Sequence, residues 1–172
     1  MRILFLSAAS SIHTIRWVNA LSELGHKITL VSQRDHKALE NSVSRKVKII
    51  YLPFGGGKGY YLNAIALRSI YKKGTFDIIN VHYASGYGTL ARIAKLPNIL
   101  LSVWGSDVYD FPYESKLKGR ILRKNLKYAS AIASTSHCMA KQTRKFVDKR
   151  KDIFITPFGV DIDKFYPDKI RS

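Results

Sequence analysis

Short apolar runs alternate along this chain with longer segments in which apolar residues recur at the spacing of an α-helix. The short runs predict β-strands, because each is too short for a helix and most are rich in β-branched or aliphatic residues. They cover residues 3–6, 27–32, 47–52, 77–82, 98–103, 129–134 and 153–156. The segments between them predict helices over residues 13–24, 60–73, 86–94, 116–128 and 136–147.

Strands that alternate with helices of this length are typical of βαβ units, in which helices cover a parallel sheet. We therefore predict an α/β fold: a Rossmann-like, doubly wound, mostly parallel sheet of about seven strands with helices on both faces. Two interruptions are predicted to be loops, namely the glycine-rich residues 55–59 and the aromatic, Asp- and Pro-containing residues 104–115. Ligands of such sheets bind at the carboxyl ends of the strands, so the loops there are where chemistry is expected.

The loop after the first strand contains Ser10 and Ser11 and leads into a helix. A small-residue loop at a helix N-terminus can present backbone N–H groups to a phosphate. The ordinary alternative is that Ser10 or Ser11 caps the helix, and the two uses are compatible. The loop is neither a GxGxxG nor a Walker sequence, so it does not indicate a dinucleotide or ATP site.

His82 ends a hydrophobic strand, where its imidazole can donate a hydrogen bond to a ligand or carry charge near neutral pH. Gly86, four residues on, would let the backbone approach a ligand closely. In the next loop Trp104 is either a core residue or a surface for a sugar ring. Asp107 either orients a sugar hydroxyl or accepts backbone N–H bonds within its own turn.

The charge balance is unusual, since 29 Lys and Arg face 12 Asp and Glu for a net charge of +17. Such a surface attracts polyanions: nucleic acid, anionic lipid headgroups or phosphorylated ligands. Twelve of the basic residues lie between positions 116 and 151, where Asp148 is the one acid. An anionic membrane is the favoured partner, and nucleic acid is disfavoured because no aromatic-and-basic RNA-binding signature accompanies the charge.

Further features bound the class of protein. The single Cys138 excludes an intrachain disulfide and a Cys-rich zinc site, and we predict no metal. No apolar run reaches the ~18 residues of a membrane span. Residues 60–73 form an amphipathic segment with aromatic and basic residues, for which core packing is the main explanation and interfacial membrane contact the alternative.

Several short motifs, each weak alone, together resemble the N-terminal domain of a GT-B glycosyltransferase of family 4. They are Ser11 to Trp17, Leu24 to Ile28, Asp77 to Tyr83, Trp104 to Val108, Ser134 to Ser136, and Pro157 to Asp161 followed by Phe165 and Pro167. The resemblance implies that this domain mainly carries the acceptor site and that a C-terminal domain holds the nucleotide-sugar donor. It also implies a reaction that retains the anomeric configuration, with the nucleotide sugar as substrate and no cofactor.

By the same resemblance, His82 corresponds to the histidine beside the transferred sugar and is the expected catalytic residue. The expected acceptor-binding residues are Tyr83, Gly86, Trp104, Ser106 and Asp107. Ser10 and Ser11 fall near the loop that approaches the donor diphosphate, where many members have a Gly-Gly pair instead.

These inferences predict the acceptor-side half of a retaining hexosyltransferase that transfers sugar to a glycan or lipid-linked acceptor, in cell-surface polysaccharide synthesis. Residues 1–156 would be the domain and 157–172 the start of an interdomain linker. With the donor domain absent, the isolated chain is expected to be inactive. We expect a cytoplasmic location, peripheral at the inner face of the cytoplasmic membrane. The alternative is a non-catalytic, basic Rossmann-like module that binds an anionic partner or nucleic acid.

Overall fold

The structure, a computed structural model, describes residues 1–159. Seven strands form one sheet in the order β3-β2-β1-β4-β5-β6-β7, and every neighbouring pair is parallel. The strands are β1 Arg2–Leu6, β2 Lys27–Gln33, β3 Lys48–Leu52, β4 Ile78–His82, β5 Ile99–Val103, β6 Ala131–Ser134 and β7 Ile153–Ile155. The predicted α/β, Rossmann-like fold is therefore confirmed.

Seven α-helices and two short 3₁₀ turns connect the strands over the described residues. The helices are α1 Ile12–Glu23, α2 Gly56–Leu62, α3 Ala64–Lys73, α4 Gly86–Ile93, α5 Ser106–Tyr109, α6 Lys116–Tyr128 and α7 His137–Thr143. The single helix predicted over residues 60–73 is thus wrong in detail, because it is two helices that meet at Asn63. The last predicted helix is shorter than expected and ends in the 3₁₀ turn Arg144–Phe146.

The two faces of the sheet pack against different numbers of helices. Leu4 and Leu6 of β1 point into the larger core, which includes residues of α3, α4 and α6. Ile3 and Phe5 point the other way, into a smaller core that Val18 of α1 completes. This alternation along one strand places both faces of β1 in apolar surroundings, as a central parallel strand requires.

The glycine-rich segment predicted to be a loop is instead the start of α2. The Asp35 carboxylate accepts the N–H of Gly56 at 2.7 Å. The Gln33 amide, oriented so that both of its ends are satisfied, bonds the carbonyl of Gly56 and the N–H of Tyr60. Side chains from the end of β2 and from the loop after it therefore supply the stabilisation that a glycine sequence lacks.

The segment predicted to be a loop after β5 also contains helical structure, namely α5 and the 3₁₀ turn Phe111–Tyr113. Its first turn is held by Asp107, whose carboxylate accepts the N–H groups of Trp104 and Gly105 at 3.0 and 2.9 Å. Gly105 has φ 134°, a conformation that favours glycine. The predicted turn chemistry of Asp107 is present, and a one-turn helix is built on it.

The strand order reverses between β1 and β4, which are neighbours in the sheet although α1, β2 and β3 separate them in sequence. The loops that follow these two strands consequently meet at the carboxyl edge of the sheet and leave a crevice. The segment that follows β7, Pro157 to Gly159, lies at the same crevice. Arg16 of α1 holds it there by donating to the carbonyl of Gly159 at 3.3 Å. Residues 160–172, including most of the predicted linker, fall outside the described part.

Candidate functional site

His82 stands at the carboxyl end of β4, beside the crevice, and is 2% exposed. Its ring packs against Phe5 of β1 with the centroids 4.5 Å apart. The indole Nε1–H of Trp104 donates to His82 Nδ1 at 3.0 Å. His82 and Trp104, which lie at the ends of the adjacent strands β4 and β5, are therefore joined by a direct hydrogen bond.

This bond determines which nitrogen of His82 carries the proton. Because an indole N–H can only donate, Nδ1 must be the unprotonated acceptor, and the proton of the neutral ring sits on Nε2. Within residues 1–159, Nε2 is buried and has no hydrogen-bond partner. The site thus holds a donor that nothing in the described chain satisfies, which is uncommon for a buried polar atom.

The His82 ring is kept neutral by its surroundings. Burial lowers its pKa from the ordinary 6.5 to about 3, and the nearby His13 contributes further in the same direction. At physiological pH the imidazole is consequently a neutral N–H donor, and the sequence-based alternative of a charged His82 is the less suited of the two.

Three aromatic residues cover the crevice in front of His82. Phe158 stacks on His13 with centroids 3.9 Å apart and planes inclined by 12°. Trp104 meets both rings edge-on, at 5.6 Å from His13 and 5.7 Å from Phe158. His13 Nδ1 is also buried without a partner among the described residues, and burial together with Arg16 lowers the pKa of His13.

Asp107 is fully buried and fixes the two loops to each other. Besides the bonds within its own turn, it accepts the N–H of Ala84 at 2.8 Å, which ties the loop after β4 to the loop after β5. Burial raises the pKa of Asp107, and the backbone N–H bonds offset part of that rise. Of the two roles considered for Asp107, the geometry favours organisation of the turns, since its carboxylate is committed to the backbone.

Tyr83 and Ser106 provide the hydroxyl groups on the accessible side of the crevice. Their side-chain oxygens lie 2.9 Å apart. Tyr83 has φ 74°, an unfavourable conformation for an aromatic residue that is held at this loop. Gly86, the remaining candidate, is buried, and a Cβ there would lie 2.5 Å from the ring of Tyr60, so its small size serves packing against α2.

Ser10 and Ser11 lie on the opposite wall, at the start of α1. The loop is fixed by a bond from Ala9 N–H to the Ser32 hydroxyl and by one from Ser10 N–H to the His36 carbonyl. Ser11 occupies the N-cap position, but its side chain makes no capping bond, so the predicted cap is wrong. The first-turn N–H groups, which a helix cannot bond internally, are not taken up by the residue that would ordinarily cap them.

Sequence reasoning missed His13 and gave Phe158 no role. His13 lies in the first turn of α1, within the motif Ser11 to Trp17, but nothing in that motif marked the histidine as a site residue. Phe158 lies 145 residues further on, and the contact exists because the chain returns from β7 to the crevice. Only the doubly wound topology, which brings the first and last loops to one edge, could have indicated that they meet.

Another surface groove lies at the amino ends of β6 and β7, with a volume of about 640 Å³. Two of its cations are engaged within the fold: Arg123 donates to the Lys145 carbonyl, and Lys151 donates to the carbonyls of Lys127 and Ala129. The crevice at His82 is the better candidate, because it combines the switch point with unsatisfied donors.

Within residues 1–159, no group of three or more His, Cys, Asp and Glu side chains could hold a metal ion. None of the helices between residues 1 and 159 is both long and apolar enough to span a bilayer.

Comparisons with known proteins agree on the kind of domain. A model of the family described as glycosyl transferase 4-like matches residues 2–136. A search of curated protein sequences gives no match.

Solved structures with the same fold are distant in sequence. Sucrose-phosphate synthase from Thermosynechococcus elongatus matches with a TM-score of 0.73 and 16% identity, over 97% of this chain and 50% of that one. HepE from Anabaena, in complex with UDP, matches with a TM-score of 0.61 and 12% identity, over 95% of this chain and 45% of that one. MurG from Acinetobacter baumannii matches with a TM-score of 0.56 and 10% identity, over 93% of this chain and 46% of that one. The chain thus spans about half the length of these neighbours.

Proposed function

The chain belongs to the glycosyl transferase 4-like family, and we propose that it is the acceptor-side half of a retaining glycosyltransferase of the hexosyltransferase type. Its substrates are a nucleotide-sugar donor and a glycan or lipid-linked acceptor, and its role is in cell-surface polysaccharide synthesis. The matched neighbours are consistent with this class, since one of them was solved with UDP bound.

The observation that carries the proposal is the neutral, buried imidazole of His82 with an unpartnered Nε2–H at the switch point. A fixed donor that has no partner in the protein can bond an oxygen of the transferred sugar without first breaking another hydrogen bond. Preorganised donors of this kind stabilise developing charge at low reorganisation cost. His82 is therefore proposed to contact the reacting sugar after the aromatic cover opens.

The two walls of the crevice are assigned to the two substrates. The start of α1, with Ser10 and Ser11, faces the donor diphosphate, because free N–H groups and the helix dipole favour anions. Tyr83 and Ser106 bind acceptor hydroxyls through their paired side-chain oxygens. Trp104 and Asp107 hold this acceptor wall in place, and Gly86 allows the close packing of α4 on α2. We propose no metal and no cofactor in this reaction.

A transfer assay tests the reaction class. In this proposal the donor pocket lies in a second domain, as the half-length match to the solved neighbours suggests. The isolated chain is therefore expected to show no turnover of a radiolabelled nucleotide sugar, while the chain joined to a donor domain transfers the label. Turnover by the isolated chain would refute the division into two halves.

A substitution in the joined enzyme tests the site. His82→Ala is expected to lower kcat/KM by more than about threefold, a loss of roughly 0.65 kcal/mol in transition-state stabilisation. The matched control is His26→Ala, since His26 lies at the amino end of β2, away from the crevice. An equal effect of the two substitutions, or none from His82→Ala, removes His82 from the catalytic site.

We further propose that the chain works in the cytoplasm, attached peripherally to the inner face of the cytoplasmic membrane. The support is its net charge of +17, since each basic residue near an anionic bilayer contributes about 1 kcal/mol of attraction.

A further inference from the structure

The outer face of α2 and α3 exposes large apolar side chains that the fold does not use. Tyr61 and Leu62 are 52% and 56% exposed, and Ile65 is 84% exposed. These three residues lie within five positions of one another around the junction of α2 and α3 at Asn63, so they form one local apolar patch. Exposed apolar patches of this kind mark contacts with another surface more often than single exposed residues do.

The patch is bordered by cations and contains no acid. Lys58, Arg68 and Lys72 are exposed at helical spacing from the apolar residues, and residues 56–73 include no Asp or Glu. The nearest acid in contact with these helices is Asp35, whose carboxylate is bonded to the N–H of Gly56. The face is therefore apolar at its centre and bordered by the cations of its own two helices.

The opposite face of the same helices accounts for their packing. Ala64 and Leu67 enter the larger core. Asn63 is fully buried and forms reciprocal hydrogen bonds of 2.8 and 3.1 Å with the backbone of Phe54. Because these contacts hold α2 and α3 on the sheet, folding gives no reason for apolar residues on the outside.

We propose that this outer face docks on an anionic lipid bilayer, with Tyr61, Leu62 and Ile65 in the interface and the cations at the headgroups. Charge complementarity selects this occupant, since the border of the face is positive and an anionic bilayer is negative. A second copy of the chain would bring like charges together around the patch, which opposes pairing.

The other patch of exposed apolar residues is less suited to a bilayer. Tyr113, in the turn before α6, and Leu117, in the first turn of the basic helix α6, are 62% and 64% exposed. Glu114 lies between them and pairs with Lys118, and Asp110 precedes them. The negative charges at this patch make Leu117 a suitable control.

The docking face deepens the proposed membrane attachment and rests on it. Tyr60, on the inner side of α2, packs edge-on against Tyr87 of α4 with centroids 5.3 Å apart, and its ring contacts Gly86. A bilayer on the outer face is thus one helix away from the loop after β4. This arrangement suits an acceptor that is itself carried by a lipid.

Vesicle flotation of the full chain tests the face. The vesicles are phosphatidylcholine alone, or phosphatidylcholine with about one-third phosphatidylglycerol, at low and high salt. The chain is expected to float only with the anionic vesicles and to be released by salt. Leu62→Ser combined with Ile65→Ser should lower binding at least about fivefold, and Arg68→Gln combined with Lys72→Gln about tenfold at low salt. Leu117→Ser should bind as the unmodified chain does.

Each result bears on the proposal. Because all these side chains are exposed, we expect the variants to remain folded. Unchanged thermal melting checks this. If the chain floats and the Leu62 and Ile65 variant floats equally, the face is wrong while membrane attachment stands. If the unmodified chain does not float, both are wrong. Flotation with neutral vesicles contradicts the choice of an anionic bilayer. So does a chain that does not float but forms a dimer, if the Leu62→Ser and Ile65→Ser double variant abolishes that dimer.

Discussion

His82 has two ring nitrogens, and Trp104 occupies one of them. The bond from the indole to Nδ1 is 3.0 Å long and leaves Nε2–H without a partner among the described residues. Trp104 is thus a positioning residue, because it fixes both the orientation and the tautomer of the imidazole. A side chain without a donor at position 104 would leave the choice of protonated nitrogen to the remaining surroundings.

Replacing the indole by a phenyl ring tests this assignment. Trp104→Phe removes the donor, so we expect the proton of His82 to distribute between both nitrogens, where the unmodified chain has it on Nε2 alone. Long-range ¹H–¹⁵N NMR of the histidine rings distinguishes the two tautomers. The control is Trp17→Phe, since Trp17 is the other tryptophan and packs against the smaller core. An unchanged His82 spectrum in Trp104→Phe would contradict the role of the indole.

The lowered pKa of His82 predicts a pH dependence of stability. The unfolded chain takes up a proton near the ordinary pKa of 6.5, whereas the folded chain does so only near about 3. Between these values the unfolded state binds more protons, so the free energy of unfolding falls as the pH falls. The largest slope is ~1.4 kcal/mol per pH unit.

This slope is measured by urea unfolding at a series of pH values. We expect His82→Gln to have a shallower slope than the unmodified chain between about pH 6 and pH 4, because it removes the group that titrates. His26→Gln, at the amino end of β2, serves as the control for the removal of a histidine far from the crevice. Parallel curves for the chain and His82→Gln would show that His82 does not resist protonation in the folded state.

Position along the strands was enough to select His82, Trp104 and Asp107 from the sequence, because side chains at strand ends meet at one edge of a parallel sheet. Their partners could not be selected in the same way. The bond between Trp104 and His82 spans 22 residues and requires β4 and β5 to be neighbours in register. Asp107, considered for a sugar hydroxyl, turned out to be occupied by backbone groups of two loops.

At the scale of the elements, the helices differ in how their amino ends are capped. Ser115 accepts the N–H of Lys118 at 3.1 Å at the start of α6. Ser11 occupies the equivalent position of α1 without such a bond. Of these two helices, α1 is the one that opens on the crevice, and no side-chain cap takes up its first-turn N–H groups.

This difference predicts unequal effects of one substitution. Ser115→Ala should lower the free energy of unfolding by about 1 kcal/mol, the usual value of a lost N-cap. Ser11→Ala should change it by less than about 0.5 kcal/mol, since no capping bond is lost. Denaturant unfolding of both variants measures the difference. Equal losses would mean that Ser11 caps α1 in solution.

The elements also show where local sequence is insufficient. The strands were predicted closely because each is a short apolar run, and both sides of a parallel sheet are covered. The start of α2 was not, because Gly55 to Gly59 has the lowest helix propensity of the chain and its stabilising groups belong to Gln33 and Asp35. Contacts over about twenty residues decide this element, and no local pattern records them.

Over the whole molecule, the basic side chains fall into two groups: those bonded within the fold and those left on the surface. Arg144 donates from one nitrogen to the carbonyls of Asp148, Lys149 and Lys151, and Arg123 lies over the ring of Phe146 with 5.1 Å to the centroid. These cations belong to the basic residues 116–151, for which the sequence favoured an anionic membrane as partner, and in the structure they hold the loop before β7. The cations at the outer face of α2 and α3 make no hydrogen bond or ion pair within the described chain, so their charge is available to an anionic surface.

The stacking of Phe158 on His13 links what the crevice holds to the course of the polypeptide. Phe158 belongs to the segment by which the chain leaves β7, and His13 belongs to the helix that faces the proposed diphosphate. A ligand that takes the face of the His13 ring that Phe158 covers must displace Phe158, and with it the backbone at Gly159 that Arg16 holds. Occupancy of the site and the direction in which the chain departs are therefore mechanically coupled through a single pair of rings.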